Sequence, residues 1–207
     1  MRCFILGATG HTGTQLVELA LQHGHTVTAF ARSPQKLPQD RAGLTVVQGD
    51  PSNVAAMAKA MVGHDVVFSA IAPRMGEMMS SKRSWTMAGH ASNIVEAMKQ
   101  AGVRRLFAFS SAGLFPGQSI LVRVLSFPVR GHMADLKAME QTYEASGLDW
   151  TVLRPTWMGE GESDAYRVSS GGLPQASKAM HYRGLAKFMI DAATNGAHRK
   201  QLLGIGR

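Results

Sequence analysis

The chain has 207 residues, 45% of them hydrophobic, and a formal net charge of +8; that is enough apolar material for one large core and argues for a single domain, 1–207. No apolar run reaches the ~18–20 residues of a membrane-spanning helix, and a lone cysteine, Cys3, excludes an internal disulfide. Basic residues are scattered, with only short pairs such as Arg104-Arg105 and Arg199-Lys200, so the charge predicts attraction of anionic small molecules rather than a nucleic-acid surface.

Residues 2–6 read as a first strand, followed by Gly7-Ala8-Thr9-Gly10-His11-Thr12-Gly13. Gly7 and Gly10 allow a tight turn whose backbone can lie against a pyrophosphate, and Gly13 lets the next helix approach the sheet. The helix then presents free N–H groups and a favourable dipole to phosphate, with Thr9, Thr12 and His11 in the same loop. Leu16, Val17, Leu19, Ala20 and Leu21 form the helix's buried stripe, and Gly24 stops it. Residues 27–31 form a second, β-rich strand. Strand, glycine turn, helix and strand in this order predict a dinucleotide site; the alternative is a structural turn without a ligand.

Arg32, Ser33 and Lys36 follow the second strand. An NAD-specific site has Asp or Glu there for the ribose hydroxyls. A guanidinium, a hydroxyl and an ammonium instead suit a 2′-phosphate, so the expected cofactor is NADP(H) rather than NAD(H). Solvated loop charge is the competing reading for Arg32 and Lys36.

The remaining elements alternate. Residues 44–48 are a third strand ending at Gly49-Asp50-Pro51, 53–61 a short helix, and 65–70 a fourth strand. A loop at 71–83 precedes a strong helix at 84–101, with Ala91, Ile94, Val95 and Met98 on one face. Residues 105–110 are a fifth strand, 112–131 irregular, 132–145 a helix, and 150–154 a sixth strand stopped by Pro155. An irregular segment, a helix near 182–193 and a terminal strand at 201–205 complete the chain. This pattern predicts an α/β, Rossmann-like, doubly wound parallel sheet with ligands beyond the carboxyl ends of its strands.

Several loop residues fall at those ends. Asp50, beside Pro51, is placed to bond near an adenine or simply to form a turn. Ala70, Ile71 and Ala72 keep backbone close to the cofactor. Ser110 and Ser111 bring two hydroxyls toward the nicotinamide end. Pro155 and Thr156 join the cofactor contacts. Trp157 and Met158 form a substrate wall, where Trp157 either stacks on a planar substrate or fills the core. Met75, Met78 and Met79 offer an adaptable apolar cover. Eight histidines show no metal-ligand spacing, and Cys3 is expected to be a buried, inert thiol.

The segment Gly7 to Gly13, Gly49-Asp50, Ser110-Ser111, and Glu140 followed by Ser146-Gly147-Leu148-Asp149-Trp150-Thr151-Val152-Leu153-Arg154-Pro155 together resemble the atypical short-chain dehydrogenase/reductase group with NAD(P)H-binding domains. Within it the chain looks most like the biliverdin reductase B (flavin reductase) branch, over about residues 2–203. A typical short-chain reductase uses Ser, Tyr and a Lys four residues after the Tyr. The resemblance assigns Ser111 to the serine, His132 to the Tyr position and Leu136 to the Lys position. Lys137 is adjacent but points about 100° away on a helix. This implies hydride transfer from NADPH to a flavin or tetrapyrrole, with Ser111 and His132 as the catalytic candidates and a proton from solvent or a looser donor. The branch implies Pro-Pro-His after the sixth strand, whereas this chain has Pro155-Thr156-Trp157, which carries no base.

The expected function is therefore an NADPH-dependent reductase of a flavin, quinone or tetrapyrrole. The alternative is a non-catalytic redox sensor that passes NADP(H) occupancy to a protein partner. An epimerase or dehydratase with tightly held NAD+ is disfavoured by Arg32 and the missing Tyr. Without a signal-peptide pattern, a cytoplasmic monomer or homodimer is expected, with no nucleic-acid or membrane partner.

Overall fold

The computed structural model describes residues 1–38, 40–73, 85–116 and 127–207. In β1 (Arg2–Leu6), side chains alternate across the sheet. Cys3 and Ile5 enter one core, Phe4 and Leu6 the other, and all four are fully buried. A strand covered on both faces needs such a continuous apolar run. β2 (Thr26–Ala31), β3 (Leu44–Gln48), β4 (Val66–Ser69), β5 (Arg105–Phe109), β6 (Asp149–Pro155) and β10 (Gln201–Gly206) join it in parallel. The order is β3-β2-β1-β4-β5-β6-β10-β8.

Helices α1 (His11–Gln22) and α5 (Tyr182–Thr194) pack together on one face. On the other, α3 (Thr86–Ala101) packs between α2 (Val54–Met61) and α4 (Arg130–Ala145). The first core joins Leu16 and Val17 of α1 and Leu185 and Ile190 of α5 to Phe68 and Phe107; the second joins Met57, Ile94, Met98, Met139 and Tyr143 to Phe4 and Val152. Each such large side chain contributes about 1.5–3 kcal/mol on burial. The strand order reverses between the parallel neighbours β1 and β4, whose register pairs Leu6 with Ser69. In doubly wound sheets the ligand crevice lies at the carboxyl ends of the strands at such a switch point.

The expected doubly wound, mostly parallel sheet is present, with one antiparallel strand, β8 (Arg167–Ser170), beside β10 at the edge. One expectation is corrected: the segment after β6 is not uniformly irregular, because it forms β8 and also the short pair β7 (Met158–Gly159) and β9 (Met180–His181). An edge strand buries little on either side, and β8 has no buried residue, so its apolar alternation is weak. β10 accepts the chain that follows β8 through a glycine: a Cβ on Gly204 would lie 1.9 Å from the Gly172 carbonyl oxygen.

Helix starts also moved. α4 begins at Arg130, and α3 at Thr86. The α3 cap comes from another helix: buried Asp135 accepts from the N–H groups of Met87 (2.9 Å) and Ala88 (3.0 Å). In the pair Arg104-Arg105, only Arg104 is exposed. Arg105 is buried over the Phe107 ring and donates to the carbonyls of Asp149 and Ala197, each at 2.7 Å. Burial pulls its pKa down to about 10.

Cys3 is fully buried, and desolvation pushes its thiol up to about 12. Since only thiolate reacts, a disulfide reagent at mildly alkaline pH is expected to leave Cys3 unmodified in the folded protein and titrate it fully after denaturation. Rapid modification of the native protein would contradict this packing.

Candidate functional site

The glycine loop sits directly on the crevice between β1 and β4. Gly7 has φ +71°, and a Cβ there would stand 2.5 Å from the Ala70 carbonyl oxygen. Ala70 is buried and donates its N–H to Leu6 at 2.9 Å. A Cβ on Gly13 would meet the Gly7 oxygen at 2.1 Å. Protein packing alone therefore demands both glycines. Gly10 differs: its φ is −87°, and a Cβ there would meet only the Gly7 oxygen, at 3.4 Å. Gly10 is exposed and is the N-cap of α1, with no side-chain capping bond and no acidic residue in the first turn. An uncapped helix start under a residue with open space above it fits an anionic group close to the backbone. These residues thus fit a dinucleotide pyrophosphate.

Around the loop, Thr12 is buried and Thr9 half-buried. His11 is exposed; its ring stacks on Tyr182 at 4.9 Å, and its Nδ1 lies 2.7 Å from a Glu160 carboxylate oxygen. Glu160 was not a candidate in the sequence. It reaches the loop from beyond β7, across a separation that no local motif reports.

At the carboxyl end of β2, Arg32 is exposed, Ser33 caps the single turn Pro34–Lys36 without a side-chain bond, and Lys36 is exposed. Asp50 is also exposed and accepts from the Ser52 N–H at 2.8 Å, so it forms a turn. That bond, then the Ser52 hydroxyl, and to a lesser extent the Arg32 and His90 charges, hold its carboxyl below the usual range. Pro51 accepts from the Asn93 side chain at 3.1 Å. Ile71 is half-buried and Ala72 exposed at the end of β4. Met75, Met78 and Met79 lie outside the described residues.

Beyond β5 the two serines separate in role. Ser110 is 7% exposed, and its buried hydroxyl has no hydrogen-bond partner among the described residues. Ser111 Oγ accepts from Gly113 N–H at 3.2 Å and opens the turn Ala112–Leu114. That turn packs on the start of α4, where a Cβ at Gly113 would be 3.4 Å from Met133 Sδ. His132 is buried beside Met133, and Leu136 lies in the second core. The structure thus brings the Ser111 turn and the His132 region together.

At the end of β6, Pro155 is buried, and its register partner is Ile205. Thr156 donates its hydroxyl to the Lys178 carbonyl at 2.9 Å and its N–H to Ile205 at 3.0 Å, so it ties the rim to the last strand. Met158 is half-buried against the first core. Trp157 is 85% exposed, which rules out the core-aromatic reading. Among the described residues, no cluster of three His, Cys, Asp or Glu is placed to hold a metal ion, and no helix is long and apolar enough to cross a membrane.

Comparison with known families decides what this loop is part of. A family model described as NAD(P)H-binding matches residues 7–196. The chain belongs to this family. One relative is a 3-beta-hydroxysteroid dehydrogenase of Mycolicibacterium neoaurum, 33% identical over 143 residues, covering 65% of this chain and 39% of the relative. The chain spans about half the length of the curated relatives it matches. Among solved structures, a short-chain dehydrogenase/reductase from Veillonella parvula in complex with NADP is 22% identical, with a TM-score of 0.79 over 100% of this chain and 94% of that one. ChuY, an anaerobillin reductase from Escherichia coli O157:H7, is 19% identical with a TM-score of 0.78, covering 99% and 96%. At these identities the likeness is one of fold.

The glycine geometry separates two substitutions. Gly10→Ala is expected to change unfolding free energy by less than about 0.5 kcal/mol while weakening NAD(P)H binding. Gly13→Ala is expected to cost about 1–3 kcal/mol through overpacking. Denaturant melts and calorimetric titration check both; equal destabilisation would contradict the division of roles.

Proposed function

We propose that this NAD(P)H-binding protein is an NADPH-dependent reductase of a planar acceptor such as a flavin, quinone or tetrapyrrole. The observation that carries the reading is the uncapped start of α1 beneath the open face of Gly10, on the same rim as the exposed indole of Trp157. The fold neighbours include an NADP complex and an anaerobillin reductase, which supports the class of reaction.

In this reading Gly7 and Gly13 hold α1 against β1, and the first N–H groups of α1 bind the pyrophosphate. Arg32, Ser33 and Lys36 bind the 2′-phosphate, Arg32 through the planar fork of its guanidinium. Asp50 shapes the adenine-side turn and keeps its charge. Pro51, Ile71 and Ala72 line the backbone approach. Ser110, whose buried hydroxyl has no partner among the described residues, faces a polar group of the nicotinamide end, since a buried hydroxyl without a partner is costly. Ser111 orients the turn that receives the acceptor, and His132 is the candidate proton donor on α4. Trp157 stacks on the acceptor plane. When bound, the dinucleotide supplies the hydride. Easily reduced rings need little acid–base help, which suits the burial of Leu136 at the position where the resemblance puts Lys.

The test is NADPH oxidation, followed by absorbance, with FMN, FAD or a quinone. Turnover above background is expected with at least one, and none with any would contradict the reading. Arg32→Glu is expected to raise the NADPH dissociation constant by about tenfold or more, from loss of a charged hydrogen bond, and to leave NADH nearly unchanged. Equal effects on the two cofactors would remove the 2′-phosphate assignment.

A further inference from the structure

Arg154 is the last residue but one of β6, beside the rim carrying Pro155, Thr156 and Trp157. Its guanidinium donates to both carboxylate oxygens of Glu140 on α4: Nε to Oε1 at 2.9 Å and Nη2 to Oε2 at 2.7 Å. The two side chains are only 12% and 4% exposed. The same guanidinium lies over the Phe115 ring, 4.7 Å from its centroid. Phe115 closes the turn that Ser111 opens, donating its N–H to the Ala112 carbonyl at 3.1 Å. One planar cation therefore touches the helix that carries His132, the turn that carries Ser111 and the strand that leads to Trp157.

A buried ion pair is a poor source of stability, because desolvating both charges offsets their attraction. Glu140 lies on α4 with Leu136, Met139 and Tyr143, all in the apolar core, and an aliphatic pair would suit such surroundings. What an aliphatic pair does not supply is direction. A bidentate, stacked guanidinium fixes the relative orientation of everything it touches, and an ammonium does not reproduce it.

We infer that Arg154 is a positioning residue for acceptor reduction, holding the Ser111 turn and the post-β6 rim against α4 through Phe115 and Glu140. The inference rests on the reductase reading above. The loop proposed to hold the pyrophosphate follows β1, separated from β6 by β4 and β5, and Arg32 and Lys36 lie farther still, beyond β2, so the phosphate contacts that anchor the cofactor lie outside the reach of this contact.

The experiment compares wild type with Arg154→Lys and with the double variant Arg154→Met/Glu140→Leu, using NADPH and FMN. Arg154→Lys is expected to lower kcat/KM for FMN by about tenfold to a hundredfold, the scale of a small misplacement, with the NADPH dissociation constant within about twofold of wild type. The double variant is expected to regain the wild-type melting temperature without regaining kcat/KM. Wild-type kcat/KM in Arg154→Lys, a parallel loss of NADPH affinity, or restored turnover in the apolar double variant would each overturn the inference. Amide exchange gives a readout independent of turnover. Residues 111–115 should exchange faster in Arg154→Lys while residues 7–13 stay unchanged; unchanged exchange at 111–115 overturns the positioning role. Absence of FMN reduction by the wild type counts against the reductase reading alone.

Discussion

The contact between the carbonyl of Gly7 and the Cα of Gly13 governs how α1 meets the sheet. No side chain fits at Gly13, since a Cβ would lie 2.1 Å from the Gly7 oxygen. Helix α1 therefore starts hard against the end of β1, directly at the switch point between β1 and β4. Its first N–H groups have no side-chain cap, and the helix dipole adds partial positive charge at the same place. The proposed anion site thus follows from close packing.

The opposite side of the rim depends on α4. Asp135 caps α3 from this helix, Glu140 grips Arg154 of β6, and Met133 lies near the Ser111 turn. Leu136, Met139 and Tyr143 anchor it in the core. Tyr143 is fully buried, and desolvation raises its phenol far above the ordinary range; it packs in the second core. One half of the rim is built from backbone and the other from buried polar side chains, and they meet across β4 and β5.

The strands and the glycine loop were legible in the sequence because their signals are local: apolar runs bounded by Gly, Pro and Asp, and three glycines at fixed spacing. The loop's division of labour was only partly legible. The sequence assigns Gly13 to the close approach of helix and sheet but treats Gly7 and Gly10 alike, whereas the three-dimensional approach of Ala70 to Gly7 shows that Gly10 is the open one. Ser110 and Ser111 likewise look equivalent in sequence, yet one caps a turn and the other has a hydroxyl with no partner among the described residues. The Asp135 cap joins residues 48 and 47 positions apart, and the Glu140–Arg154 pair spans 14, so neither leaves a periodic trace. β8 escaped because an edge strand buries too little to impose alternation on its sequence.

Direct hydride transfer between dinucleotide and acceptor is the central claim. Its most direct test is the primary kinetic isotope effect with NADPH deuterated at the 4R or the 4S position, measured with FMN in single turnover. One stereoisomer should slow the reaction and the other should not, because a nicotinamide held on this rim presents one face to the acceptor. Equal rates with both deuterated forms and unlabelled NADPH, or no reaction, would contradict the account.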